Sequence, residues 1–150
     1  LMIIGKGEFE EYRDLAYRLG IGDEVYFTGL KKNPYPYLKK STLYMLTSYY
    51  EGFPNAMVEA MSLGIPVVAT DCMTGPREIL KDQYGILIPN MSPDPDMGTG
   101  ITEEESEVAQ KVIELLQDEK RLAEYRKLAM ERAAMYSKED YIHKICEWAE

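Results

Sequence analysis

The chain has 150 residues, 45% of them hydrophobic, a size that suits one domain burying roughly two thirds of its unfolded surface. Its 17 Lys and Arg against 26 Asp and Glu leave a net charge of −9, which excludes broad binding to nucleic acid or to an anionic membrane surface. Cys72 and Cys146 are too few and too far apart for a disulfide framework or a zinc site, and they read as reduced packing thiols of a cytoplasmic protein.

The opening run Leu1-Met2-Ile3-Ile4 is too short and lacks the basic flank of a targeting or spanning segment, and reads instead as a buried strand. Gly5-Lys6-Gly7 makes the turn after it. Phe9, Tyr12, Leu15, Ala16 and Leu19 then recur at helical spacing, with acidic residues in the first turn and Gly20 at the end. A strand over residues 25–28, Gly29 and a basic loop Leu30-Lys31-Lys32-Asn33-Pro34 follow, and then a short helix over 35–40 and a strand over 43–47.

A loop over residues 48–54 leads to a nearly all-apolar helix over 56–63, with Asn55 as its expected cap and Gly64 and Pro66 as its stop. Residues 66–70 make a strand rich enough in Val and Ala to be buried on both faces. A short helix starts near Pro76, residues 84–88 form a fifth strand, and residues 90–102 read as a loop. Asn90-Met91-Ser92 fits the glycosylation sequon, a chance match in a cytoplasmic protein. Two amphipathic stripes follow, Val108, Val112, Ile113, Leu115 and Leu116, and then Leu122, Tyr125, Leu128, Ala129 and Ala133. Ser137 is expected to begin a last helix, with Asp140 completing an imperfect capping box and His143 as a surface or packing residue.

Strands alternating with helices predict an α/β fold, a Rossmann-like parallel sheet covered by helices on both faces, followed by a helical C-terminus. In such a sheet the loops after positions 4, 28, 47, 70 and 88 share the carboxyl edge, where ligands bind. On the helix 56–63, Glu59 has only apolar neighbours apart from Ser62, and a carboxylate there needs a partner. Two ribose hydroxyls would serve. The alternatives are an exposed strip or a structural pair with Arg77. The N–H groups near Asn55, Ala56, Met57 and Val58 carry partial positive charge suited to a diphosphate, and Lys6, Lys31 or Lys32 could add charge from nearby loops.

Glu51-Gly52-Phe53-Pro54-Asn55, then Glu59-Ala60-Met61, Gly64 and Pro66-Val67-Val68-Ala69-Thr70-Asp71, resemble the donor-site signature of family 4 retaining glycosyltransferases, whose fold is called GT-B. The likeness continues through Gly75-Pro76-Arg77-Glu78-Ile79-Leu80 and Gly85, and backwards to Gly5, Gly7, Gly29, Asn33-Pro34-Tyr35 and Ser48. It implies that Glu51 is the catalytic carboxylate facing the donor sugar, and that Gly52, Phe53 and Pro54 offer backbone groups to that sugar. Asn55, Met57 and Val58 would lie against the diphosphate, and Glu59 would hold the ribose. Gly29, Leu30 and Lys31 would border the base, Gly5 and Gly7 would line the cleft, and Gly75 to Glu78 would close its far side.

The resemblance further implies a nucleoside diphosphate sugar as co-substrate, with UDP favoured by the form around Thr70-Asp71-Cys72, and neither a cofactor nor a metal. The chain would then be the carboxy-terminal half of a GT-B architecture. It would lack its first strand and helix, the basic pair that the family carries there, and the amino-terminal domain through which a glycan or lipid-linked acceptor is bound. Transfer by the 150 residues alone is not expected, and peripheral membrane association of the complete protein remains open. The alternative from another class is a non-catalytic nucleotide-sugar binding or interaction domain. A nucleotide-sugar epimerase is disfavoured by the Gly-Phe-Pro-Asn framing.

Overall fold

The computed structural model describes residues 1–90 and 100–137. In chain order the elements are β1 (Met2–Ile3), α1 (Glu10–Arg18), a 3-10 turn (Gly22–Glu24), β2 (Tyr26–Phe27), α2 (Tyr35–Leu38), β3 (Tyr44–Leu46), α3 (Asn55–Ser62), β4 (Val67–Thr70), α4 (Pro76–Leu80), β5 (Ile86–Ile88), α5 (Glu103–Gln117) and α6 (Glu119–Ala134). The alternation of strand and helix expected from the sequence is present. All ladders are parallel.

The strands form two groups, β1-β2 and β3-β4-β5. Met2 pairs with Tyr26, Tyr44 with Val67, and Val68 with Ile86. In the second group β4 is central, and its residues are divided between two cores. Val67 and Ala69 join Met57 and Met61 of α3, Ile79 and Leu80 of α4, and Ala129 and Ala133 of α6. Val68 joins Ile88, Val108 and Leu115 of α5, and Leu122 at the start of α6. This is the period of two expected of a strand covered on both faces by helices.

The first group is different. Leu1 is 71% exposed, Met2 47% and Tyr26 60%, so the buried strand expected over residues 1–4 is corrected to a two-residue, half-covered one. Its ladder contains two strands only; α1 buries Ala16 and half-buries Leu15, and Phe9 at its start packs tilted on Phe27 with centroids 5.3 Å apart. Tyr12 and Leu19, expected on the buried stripe, are exposed.

In α5 the stripe narrows to Val108, Val112 and Leu115, while Ile113 and Leu116 face solvent. The helix begins with a reciprocal capping box, Glu105 N–H donating to Thr102 Oγ1 at 3.1 Å and Thr102 N–H to Glu105 Oε2 at 2.8 Å. The box expected at Ser137 and Asp140, the final helix, His143, Cys146 and most of the 90–102 loop fall outside the described residues. Cys72 is buried and free. Among the described residues no helix is long and apolar enough to cross a membrane.

Candidate functional site

The loop between β3 and α3 is tied down at several points. The Thr70 hydroxyl, buried at the end of β4, donates to Ser48 O at 2.5 Å. Ser48 Oγ in turn donates to Glu51 Oε1 at 2.6 Å, a charge-assisted bond that fixes the carboxylate. On the far side Thr74 Oγ1 donates to the Glu51 carbonyl. Gly75 (φ +84°) lies so close that a Cβ would come within 2.6 Å of Gly52 O and 2.8 Å of Pro54 Cδ. Gly75 is thus seated directly on the loop.

Helix α3 starts one residue earlier than its sequence suggests. Asn55 is its first residue rather than its cap; Pro54 takes the cap position and no side chain caps the helix. Proline fixes φ near the value the helix needs, and its carbonyl accepts from Met57 N–H at 3.0 Å and Val58 N–H at 3.3 Å. Asn55 N–H donates to Phe53 O. Of the four N–H groups expected to be free for a diphosphate, only that of Ala56 has no acceptor among the described residues. Met57 is fully buried and Pro54 is buried, so what these positions offer a ligand is backbone.

Glu59 is half-buried, and its carboxylate makes no hydrogen bond or ion pair among the described residues; the Ser62 hydroxyl bonds only to its backbone carbonyl. The structural pair with Arg77 is excluded, because Arg77 Nε donates to Asp71 Oδ1 at 2.8 Å and Nη1 lies 3.5 Å from Asp82. The hydrogen bond that Arg77 donates to the Asp71 carboxylate raises the Arg77 pKa above its already high ordinary value. Burial pushes the Tyr44 phenol up, and the charges of Glu51 and Glu59 push it further. Both carboxylates therefore act on one point of β3. Carboxylates that share a neighbour but not a countercharge are available to hydroxyl donors.

Gly5, Gly29 and Leu30 form a second cluster at the carboxyl ends of β1 and β2, and Gly7, further along the first loop, lies against the Phe9 ring. Gly5 N–H donates to Gly29 O at 3.3 Å, Gly29 adopts φ +68°, and Leu30 is 71% exposed. Among the described residues no hydrogen bond, ion pair or ring contact joins this cluster to the 48–59 segment. Lys31 lies 5.8 Å over the Tyr37 ring. Among the described residues no group of His, Cys, Asp and Glu is arranged to hold a metal.

Residues 1–132 match the family Glycosyl transferases group 1. The chain belongs to that family. It is 35% identical over 167 aligned residues to an uncharacterized glycosyltransferase of Methanocaldococcus jannaschii, covering 99% of this chain and 40% of that protein. It is 29% identical to the N-acetylgalactosamine-N,N'-diacetylbacillosaminyl-diphospho-undecaprenol 4-alpha-N-acetylgalactosaminyltransferase of Campylobacter jejuni, over 92% of this chain and 35% of that one. Among solved structures, a mutant of S. aureus TarM in complex with fondaparinux, alpha-GlcNAc-glycerol and UDP superposes with a TM-score of 0.80 at 27% identity, over 97% of this chain and 28% of that one. The α/β fold is that of GT-B glycosyltransferases. This group 1 glycosyltransferase chain spans two fifths or less of the length of these relatives.

Several residues that shape the loop between β3 and α3 carry little signal in the sequence. Ser48 and Thr70 are ordinary at strand ends, and their chain of bonds to Glu51 needs β3 and β4 side by side. Tyr44 reads as a strand aromatic. Tyr136 stands edge-on to Phe53 with centroids 5.4 Å apart, a contact between residues far apart in the chain.

Proposed function

We propose that this chain is the donor-binding half of a family 4 retaining glycosyltransferase. The complete enzyme transfers a hexose or N-acetylhexosamine from a nucleoside diphosphate sugar to a glycan or lipid-linked acceptor in the cytoplasm. The observation that carries this reading is the Glu59 carboxylate, half-buried on an apolar helix with no hydrogen bond or ion pair among the described residues. Paired ribose hydroxyls satisfy both of its oxygens. Glu51, oriented by Ser48, faces the donor sugar as the catalytic carboxylate. Gly52, Phe53 and Pro54 line the sugar with backbone, and the diphosphate lies against the amino end of α3 at Asn55 to Val58, where the Ala56 N–H is without an acceptor among the described residues. Gly5, Gly7, Gly29 and Leu30 border the base and the mouth of the cleft.

In the transfer step the bond between the anomeric carbon and the diphosphate oxygen breaks, the oxygen of an acceptor hydroxyl bonds to that carbon on the same face, and the hydroxyl proton passes to the leaving diphosphate. Charge then grows on the leaving diphosphate, where fixed N–H dipoles stabilise it with no metal and no cofactor. A UDP donor is supported by the UDP-bound TarM relative, and a polyprenyl-linked or polymer acceptor by the kind of transferases to which the chain is similar. Acceptor choice and peripheral membrane contact belong to the other half of the complete enzyme.

The test is calorimetric titration of UDP and UDP-glucose into the complete protein and into its Glu59→Ala and Glu51→Ala variants. Loss of the ribose contact weakens UDP binding by on the order of 1.5–3 kcal/mol in Glu59→Ala. In Glu51→Ala, UDP binding persists and turnover falls. Unchanged UDP affinity in Glu59→Ala would return that residue to a structural role, and binding without turnover in the unmodified protein would leave a nucleotide-sugar sensor.

A further inference from the structure

Arg132 is 8% exposed and among the described residues has no carboxylate within ion-pair distance. A buried guanidinium needs its donors met in some other way. Its Nε donates to Ile79 O at 2.8 Å and its Nη2 to Glu78 O at 2.8 Å. These are carbonyls of the last turn of α4, the negative end of a helix. The other carbonyls of that turn are already used, since Lys81 N–H donates to Arg77 O and Gln83 and Tyr84 N–H to Leu80 O. The guanidinium also lies over the rings of Tyr84 at 5.3 Å and Tyr136 at 4.9 Å, and Nη2 donates to Tyr136 Oη at 2.6 Å.

The Tyr136 ring, held in this way, meets Phe53 edge-on at 64°. The contacts close on themselves. Phe53 meets Tyr136, Tyr136 is fixed by Arg132, Arg132 grips the end of α4, and Gly75 at the start of α4 lies against Gly52. Phe53 itself is 49% exposed, although Pro54 beside it is buried, and the Tyr136 ring is its one aromatic neighbour among the described residues.

We propose that Tyr136, locked by Arg132, is a positioning residue for Phe53, and thereby for the segment that receives the donor sugar. The inference rests on the donor-site assignment given under Proposed function. Because α3 holds the diphosphate and ribose while the 52–54 segment meets the sugar, loosening Tyr136 lowers affinity for UDP-glucose and spares UDP. The effect is one of preorganisation.

The experiment compares UDP and UDP-glucose binding in the complete protein for wild type, Tyr136→Leu, Tyr136→Phe, Phe53→Ala and the double variant Phe53→Ala/Tyr136→Leu. Tyr136→Leu is expected to weaken UDP-glucose on the order of three- to tenfold, the scale of one aromatic pair, with UDP unchanged. Tyr136→Phe, which loses the Nη2 bond to Oη but keeps the ring under the guanidinium, loses less than Tyr136→Leu, and the double variant loses no more than the worse single one. Equal loss of both ligands, or additive losses, overturns the proposal. A wild-type protein without a ring-to-ring nuclear Overhauser contact between Phe53 and Tyr136 overturns it even if Tyr136→Leu does not fold. If wild type binds neither ligand, the donor-site assignment fails, and ligand-free amide exchange at residues 52–55 still decides the coupling. Faster exchange there in Tyr136→Leu than in Tyr136→Phe supports it, and equal exchange sinks it.

Discussion

The units β1-α1-β2 and β3-α3-β4 share one connectivity and differ sharply in burial. In the second, Met57, Ala60 and Met61 of α3 and every residue of β4 are buried; in the first, only Ala16 is. The difference lies in what each helix and strand has on its far side. Helix α3 is backed by α6, with Gly64 close enough that a Cβ would meet Met130 at 3.3 Å, and β4 has a strand on either edge. Helix α1 leaves Tyr12 and Tyr17 exposed, and the ladder β1-β2 has no third strand among the described residues. Parallel strands gain their stability from being covered twice, so the carboxylates and the bracing hydroxyls sit on the covered unit.

The largest break of this comparison is a cavity. Met61→Ala, at a fully buried position between α3 and β4, is expected to lower stability by about 2–5 kcal/mol in urea unfolding. Leu19→Ala, at a 43% exposed position next to α1, should change it by no more than about 0.5 kcal/mol. Similar losses at both positions would mean that the first unit is covered in solution as well as the second.

Next comes Gly75→Ala, where both the positive φ and the contact with Gly52 O resist a side chain. A loss of about 1–3 kcal/mol is expected, with UDP-glucose binding falling with it because the 51–54 segment must shift. The counterpart is Gly29→Ala. Its φ of +68° also disfavours alanine, yet a Cβ there meets nothing within 4 Å, so the cost is backbone strain alone, about 1 kcal/mol. A larger loss at Gly29 than at Gly75 would refute the view that the second unit is the tightly braced one.

How far the sequence reaches follows the same division. The Val-Val-Ala-Thr run of β4 announces burial on both faces because its one polar residue, Thr70, stands at the end, and the structure agrees. The Leu-Met-Ile-Ile run at residues 1–4 has the same character and ends half exposed, because burial also depends on neighbours that a single strand's composition does not encode. Glu59 stands out in the sequence as an acid among apolar residues, and its carboxylate makes no hydrogen bond or ion pair among the described residues. The Asn55 cap failed for a local reason: asparagine is a good cap in general, but Pro54 before it already had the dihedral and the carbonyl to start the helix. Arg132 looks in sequence like any basic residue on an amphipathic helix, and its burial depends on α4 ending where it does.

The smallest expected effect is a change in alkaline behaviour, and it isolates the point on which both carboxylates act. Burial, followed by the charges of Glu51 and Glu59, raises the Tyr44 pKa above its ordinary 10.0. A raised folded-state pKa means that the unfolded chain loses this proton first as pH climbs. The stability it contributes is therefore whole below pH 10.0 and is lost as pH rises through the folded value. Tyr136 is raised as well, through burial opposed by Arg132, and adds to the same decline. Tyr44→Phe should flatten part of the fall in melting temperature above pH 10.0 and leave the part due to Tyr136. Glu59→Gln removes one of the two charges facing Tyr44, so tyrosinate absorbance in the folded protein should appear at lower pH than in the parent. If Glu59→Gln leaves that titration unmoved while Glu51→Gln shifts it, the two carboxylates do not share a neighbour, and only Glu51 belongs to the braced side of the site.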